Sequence, residues 1–337
     1  MTEDETLKVK FLVIRFSSIG DIVLTTPILR CLKNQVENAE VHFITKPQYI
    51  EIIRYNPYID KILTLKSFSE TISDIKQENY DYIIDLHNNI RTLRLKHKLK
   101  ILDFSFPKLN YKKWLLVNFK INKLPNIHVV DRYFETVKLF DVENDNKGLD
   151  FFINQNNEVN IDDLCKNIEQ KFAVYAIGGR HFTKKMPPKM IAQVCENQKF
   201  PIILLGGKED FENGEIIKNN SEKIFNLCGK LNILQSASVI KQAKAMLSHD
   251  TGLMHIGAAF KKNIISIWGN TVPEFGMYPY FPGKKSEKTQ PFNIKCRPCS
   301  KIGFERCPKK HFNCMKSHGI KEIREKIIKL MTDEEDL

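Results

Sequence analysis

The chain has 337 residues, 42% of them apolar and 10% aromatic, which is enough to build a core in each of two domains and marks a folded globular protein. Its acidic start, MTEDETLKVK, lacks the apolar core of a secretory signal, and no stretch approaches the roughly eighteen continuous apolar residues of a membrane span, so a cytoplasmic protein is expected. A formal net charge of +12 points to an anionic partner: nucleic acid, an anionic membrane or an acidic substrate.

Apolar runs of five to eight residues alternate with amphipathic stretches. KFLVIRF (10–16), EVHFIT (40–45), DKILTL (60–65) and DYIIDL (81–86) read as buried parallel strands with helices between them. Ten cations then crowd residues 91 to 123 (Arg91, Arg94, Lys96, Lys98, Lys100, Lys108, Lys112, Lys113, Lys120 and Lys123) against one acid, Asp103. Tyr111, Trp114 and Phe119 sit among them, and an aromatic-basic mixture suits a membrane interface as well as a solvated face. The Asn- and Asp-rich stretch 141–165 loses periodicity, as a linker would. FAVYAI (172–177), PIILLG (201–206), KIFNLC (223–228), KAMLSH (244–249) and NIISIW (263–268) form a second series. The pattern predicts α/β architecture in two Rossmann-like parallel-sheet domains, 1–155 and 156–337, facing a central cleft; a single large sheet fits it too.

Ligands of open α/β sheets bind beyond the carboxyl ends of the strands, and three polar hinges fall there. The first is VIRFSSIGDIVLTTP (13–27). Ser17, Ser18 and Gly20 shape its turn, with Gly20 expected to take a backbone conformation closed to other residues. Asp21 is either a general base or, like Thr26, a helix cap before Pro27. The second is HDTGLMHIGAAF (249–260), in which Asp250, Thr251 and Gly252 open a helix whose free N–H groups suit a phosphate or a sugar hydroxyl. His255 on that helix is a core histidine or a sugar contact. The third, GGRHFTKKMPP (178–188), offers Thr183, Lys184 and Lys185 to a diphosphate before a Pro-initiated helix, with neither a Walker A sequence nor a GxGxxG fingerprint. In GGKED (206–210), Glu209 and Asp210 suit a ribose or an ordinary turn.

Taken together and in this order, these motifs resemble glycosyltransferase family 9, the lipopolysaccharide heptosyltransferases, over nearly the whole chain. VIRFSSIGDIVLTTP matches the opening motif, HDTGLMHIGAAF with IISIWGNTVPE (264–274) the donor motif, and KKMPP stands where the family has a lysine before Trp-Pro. Met186 replaces that tryptophan. The resemblance implies the GT-B fold, with an N-terminal acceptor domain and a C-terminal domain holding ADP-heptose. It implies Asp21 as catalytic base, Lys184 on the diphosphate, Asp250 on the donor sugar, and the amides near Thr251 and Gly252 completing that pocket. The implied reaction is inverting and needs no cofactor. The acceptor is then an anionic lipid-linked saccharide, to which segment 91–123 would dock the enzyme on the inner face of the cytoplasmic membrane, with His87 lining the acceptor side or serving as a cap or core residue.

CRPCSKIGFERCPKKHFNCMK (296–316) spaces Cys296, Cys299, Cys307 and Cys314 as C-x2-C-x7-C-x6-C, which suits a structural zinc or free thiols packed in a loop. A nucleic-acid-binding protein with a zinc ribbon and a basic arm would explain the charge and the cysteines, yet leaves the three strand-end motifs without purpose. Another nucleotide-sugar donor on the same fold is the nearer alternative.

Overall fold

The computed structural model describes residues 8–166, 168, 171–219 and 221–332. They form two compact units, one of residues up to 108 with 127–152, the other of 109–126 with 153 onward. In chain order the elements are β1 (Val9–Ile14), α1 (Ile19–Val23), α2 (Thr26–Gln35), β2 (Ala39–Thr45), β3 (Lys61–Thr64), α3 (Phe68–Gln77), β4 (Tyr82–Asp85), α4 (Ile90–Leu99), β5 (Leu102–Ser105), α5 (Asn110–Phe119) and α6 (Val129–Phe134). After α7 (Ile161–Leu164) come β6 (Ala173–Ala176), α8 (Pro188–Cys195), β7 (Ile202–Leu205), α9 (Phe211–Lys218), β8 (Ile224–Asn226), α10 (Ile233–Gln242), β9 (Ala245–His249), α11 (Gly252–Ala259), β10 (Asn263–Ile267), β11 (Glu287–Thr289), α12 (Asn313–Lys316) and α13 (Ile320–Met331).

The first sheet is parallel, with order β3-β2-β1-β4-β5. The second is also parallel, β11-β10-β9-β6-β7-β8. Helices cover a parallel sheet on both faces, so its central strands read as unbroken apolar runs: Phe11 to Ile14 and Ala173 to Ala176 are fully buried. The nine apolar runs expected as strands all become strands. The edge strands β5 and β11, mostly exposed and carrying LDFS and EKT, have no apolar run to announce them.

Three expectations differ from the structure. The stretch read as a linker from 141 is tethered as far as 152: Arg30, 3% exposed on α2, pairs with Asp145 at 2.8 Å and with Asp150, and donates to the Gly148 carbonyl. That guanidinium holds the Asp145 carboxyl down at about 2. Gly20 lies inside α1 and is not among the residues with positive φ, so the special turn expected of it is absent. Residues 109–126, placed with the first domain in the sequence reading, group with the second unit, where Leu116 packs on Val272 and Phe275.

Candidate functional site

A parallel sheet opens a crevice where neighbouring strands send their loops in opposite directions. In the first unit β1 and β4 are such a pair. The loop after β1 runs into α1, where Asp21 is the third residue, and its Oδ2 accepts from the Ser18 hydroxyl at 2.7 Å and from the Ser18 N–H at 3.2 Å. The carboxylate thus closes the box at the helix start rather than capping it; the cap position belongs to Ser18. Its other oxygen meets Arg15 Nη2 at 2.5 Å.

Arg15 is itself 8% exposed and fully occupied. Its Nε donates to the Ser17 carbonyl at 2.8 Å, and its Nη1 donates to the Leu86 carbonyl and, at 3.1 Å, to the Tyr133 hydroxyl. Burial opposes its charge, yet the attraction of Asp21 leaves its pKa raised. One guanidinium therefore ties the ends of β1 and β4 to α6 and holds the Asp21 carboxylate in place. His87, after β4, lies 5.1 Å from the Phe16 ring, and burial followed by the charges of Arg15 and Lys108 pushes its imidazole from 6.5 down to about 4. It stays neutral near pH 7 and is not a helix cap, because Asn89 caps α4.

In the second unit the diverging pair is β6 and β9, hydrogen-bonded from Ala173 opposite Ala245 to Ala176 opposite Ser248. Their loops carry Lys184 and Asp250, and the structure brings the two together: Lys184 Nζ lies 2.6 Å from Asp250 Oδ2, with 18% and 11% of the side chains exposed. The Thr271 hydroxyl donates to the same oxygen at 2.9 Å. Asp250 is followed by Thr251 at the cap position of α11, whose helix begins at Gly252 and presents its first-turn N–H groups beside this pair. His255 is buried within α11. Lys185 is paired at 3.0 Å with the buried Asp210, which also accepts the Gly207 N–H, so that carboxylate closes the turn after β7.

Thr183 is placed differently from the expectation of a phosphate contact. It is 1% exposed, and its hydroxyl accepts the Phe304 N–H at 2.8 Å. Met186, in the family's tryptophan position, is a core residue 2% exposed whose N–H donates to His249 Nε2 at 3.1 Å. Burial, with the charge of His318 next, pushes His249 to about 3.

The four clustered cysteines are free thiols, and among the described residues no group of three or more His, Cys, Asp or Glu side chains is arranged to hold a metal ion. Cys296 Sγ lies 3.8 Å from His311 Nε2, while burial pushes the Cys314 thiol up to about 12. The zinc expectation therefore finds no ligand set here. The basic segment is divided: Lys96 is buried, with its ammonium 2.6 Å from Asp103 and 3.2 Å from Asp85, and Lys120 is spent on the carbonyls of Cys296 and Pro298. In the first unit Arg91, Arg94, Lys98 and Lys100 are exposed with Ile90 and Leu93; in the second, Lys112 and Lys123 are exposed, as are Tyr111 and Trp114. No helix among the described residues is long and apolar enough to cross a membrane.

Sequence reasoning missed Arg15, Tyr133, Thr271 and Arg297. A cation closing an apolar strand in VIRFSS was a usable signal for Arg15, since a buried charge demands a partner. Tyr133 is far away in sequence and gave none.

Residues 70–306 match the family model described as glycosyltransferase family 9 (heptosyltransferase); Asp21 lies outside that span. A lipopolysaccharide heptosyltransferase 1 of Campylobacter coli is 24% identical over 299 residues, covering 78% of this chain and 84% of its own. A lipooligosaccharide heptosyltransferase 2 of Campylobacter jejuni is 24% identical with coverage of 93% and 96%. Among solved structures, a family 9 glycosyltransferase of Veillonella parvula superposes with a TM-score of 0.78 at 19% identity, covering 98% of this chain and 99% of that one. The Escherichia coli heptosyltransferase WaaC, solved with ADP-2-deoxy-2-fluoro heptose, gives a TM-score of 0.67 at 17% identity over 95% and 99%.

Proposed function

Because the chain belongs to glycosyltransferase family 9, we propose that it transfers a heptose from ADP-heptose to a lipopolysaccharide core acceptor with inversion at the anomeric carbon. The observation that carries the donor assignment is the Lys184–Asp250–Thr271 cluster at the diverging strands of the second sheet, beside the start of α11. A diphosphate draws on Lys184 and the α11 N–H groups, and a sugar hydroxyl donates to the Asp250 carboxylate. The heptosyltransferase names of the relatives, and the ADP sugar with which WaaC was solved, support the same donor.

The chemistry follows from the residues. Asp21 takes the proton of the acceptor hydroxyl as that oxygen bonds to the anomeric carbon, the bond to the diphosphate oxygen breaks, and ADP leaves with the electron pair. The sugar passes through an oxocarbenium-like state, as in other inverting transfers. Lys184 and the α11 N–H groups stabilise the charge growing on the leaving diphosphate. Arg15 fixes the position of the Asp21 carboxylate, and the proton passes to it as the acceptor oxygen commits to its new bond. His87, neutral and next to this carboxylate, lines the acceptor side with Ser17 and Ser18.

The acceptor is anionic and lipid-linked in this reading. The exposed cations Arg91, Arg94 and Lys98 on α4, with Ile90 and Leu93, and Lys112 on α5, with Tyr111 and Trp114, each attract anionic phospholipid and serve to hold the enzyme at the inner face of the cytoplasmic membrane. Calorimetric titration with ADP and then ADP-heptose tests the proposal. Micromolar ADP binding that disappears in Lys184→Ala, with extra affinity from the sugar, supports it; tight binding of a different sugar nucleotide overturns the heptose donor. The anomeric configuration of the product, read by NMR, decides inversion.

A further inference from the structure

We propose that the Cys-rich segment 296–314 is a strap that sets the geometry of the donor site from two sides, with Arg297 as the positioning residue at one end and the Phe304 backbone at the other. The proposal rests on the reading of Lys184 and Asp250 as the donor site.

Arg297 is largely withdrawn from water, and burial lowers its pKa. Among the described residues it has no carboxylate in ion-pair range; it spends its guanidinium on carbonyls. Nε donates to Gly269 at 2.5 Å, and Nη2 donates to Thr271 at 3.0 Å, to Trp268 at 3.4 Å and to the Gln290 side chain at 3.1 Å. A half-buried guanidinium with no carboxylate in contact must satisfy its donors on the backbone, and only the planar fork of arginine serves three carbonyls of one short loop at once. That loop ends in Thr271, whose hydroxyl holds Asp250 Oδ2. The helix at the end of the segment, α12, supports the same loop. A Cβ on Gly269 would stand 2.4 Å from Met315 Cε, so the backbone lies directly against the segment's helix α12.

The other end of the strap grips the loop after β6. Thr183 donates its N–H to the Phe304 carbonyl at 3.1 Å and accepts the Phe304 N–H on its hydroxyl at 2.8 Å. Gly303, at φ +118°, makes this approach possible: a Cβ there would lie 2.6 Å from His181 Cβ. Lys184 follows Thr183 directly, so this anchor sets where the ammonium stands. The two ends therefore govern different parts of the ligand, Arg297 the carboxylate that meets the sugar and Phe304 the lysine that meets the diphosphate.

The test measures ADP and ADP-heptose affinities in parallel, with thermal melts confirming that each variant is folded at the assay temperature. Arg297→Lys should weaken ADP-heptose about tenfold while ADP changes less than twofold, raising the donor KM and leaving the acceptor KM unchanged. Thr271→Val should produce the same selective loss, and the double variant should be little worse than either single one. Gly303→Ala should instead weaken both ligands by a similar factor, about tenfold, because it moves Lys184; it also keeps the proposal testable if Arg297→Lys does not fold. The strap is overturned if folded Arg297→Lys keeps the ratio of the two affinities within twofold of wild type, or if Gly303→Ala leaves ADP binding unchanged. Wild-type protein that binds no ADP would remove the donor reading itself, and the strap's role with it.

Discussion

Asp250→Asn should make the protein bind ADP more tightly, although it removes a residue of the donor site. Lys184 is already engaged, 2.6 Å from Asp250, and a diphosphate must draw it away. An exposed ion pair is worth about 0.2–1 kcal/mol and breaking a buried one costs about 3–5 kcal/mol. With 18% and 11% of the two side chains exposed, the pair lies between these limits, at about 1–2 kcal/mol. The asparagine keeps an oxygen for the Thr271 hydroxyl but no longer holds the ammonium or repels the incoming phosphates. ADP affinity should rise about 5- to 30-fold at low ionic strength, and the gain should shrink in about 0.5 M salt as charges are screened. ADP-heptose should gain less, because the carboxylate that accepts from the sugar is gone. Calorimetry at two salt concentrations reads all of this, with Lys184→Ala as the opposite control that weakens ADP. If Asp250→Asn weakens ADP as Lys184→Ala does, the competition between pair and ligand is wrong.

Asp21→Asn should lower kcat by about 10²- to 10⁴-fold and leave ADP affinity within twofold, since the base acts on the acceptor; equal loss of both would place Asp21 elsewhere in the cycle. Acid should destabilise the fold through buried neutral histidines. His249 and His318, held at about 3 and about 4 against an ordinary 6.5, stay mostly neutral between pH 6.5 and about 5 while the unfolded chain takes up protons, so stability falls as pH falls through that window. The slope approaches about 1.4 kcal/mol per pH unit for each, and urea unfolding of His318→Gln at pH 7 and pH 5 should show a shallower decline than wild type. Arg30→Ala, which leaves Asp145 and Asp150 facing a buried gap, should cost about 3–5 kcal/mol of stability by the same measurement; a loss below about 1 kcal/mol would show that 141–152 is held by other means. Charge reversal at Arg91, Arg94, Lys112 and Lys123 should abolish binding to vesicles containing anionic phospholipid, and Trp114 reports the contact because Trp268 is fully buried. Unchanged vesicle binding would remove the membrane role of these cations.

The sequence determined the β/α alternation in both halves because a buried parallel strand must be apolar throughout, and that signature needs no knowledge of partners. It determined the strand-end positions of Asp21, Lys184 and Asp250, since hinge residues follow their strands directly in the chain. It did not determine β5 or β11, which lie at sheet edges where nothing forces an apolar run. Nor did it show that 109–126 crosses to the second unit, or that 141–152 stays with the first, because both depend on side chains distant in sequence: Leu116 against Val272, and Arg30 against Asp145 and Asp150. Only the tertiary structure decided which partner each polar group meets. Arg15 reaching Asp21, Lys184 reaching Asp250, Thr183 turning to Phe304 and Arg297 gathering three carbonyls are all set by the need to satisfy buried polar groups, and those partners are chosen by the folded backbone rather than by spacing along the chain.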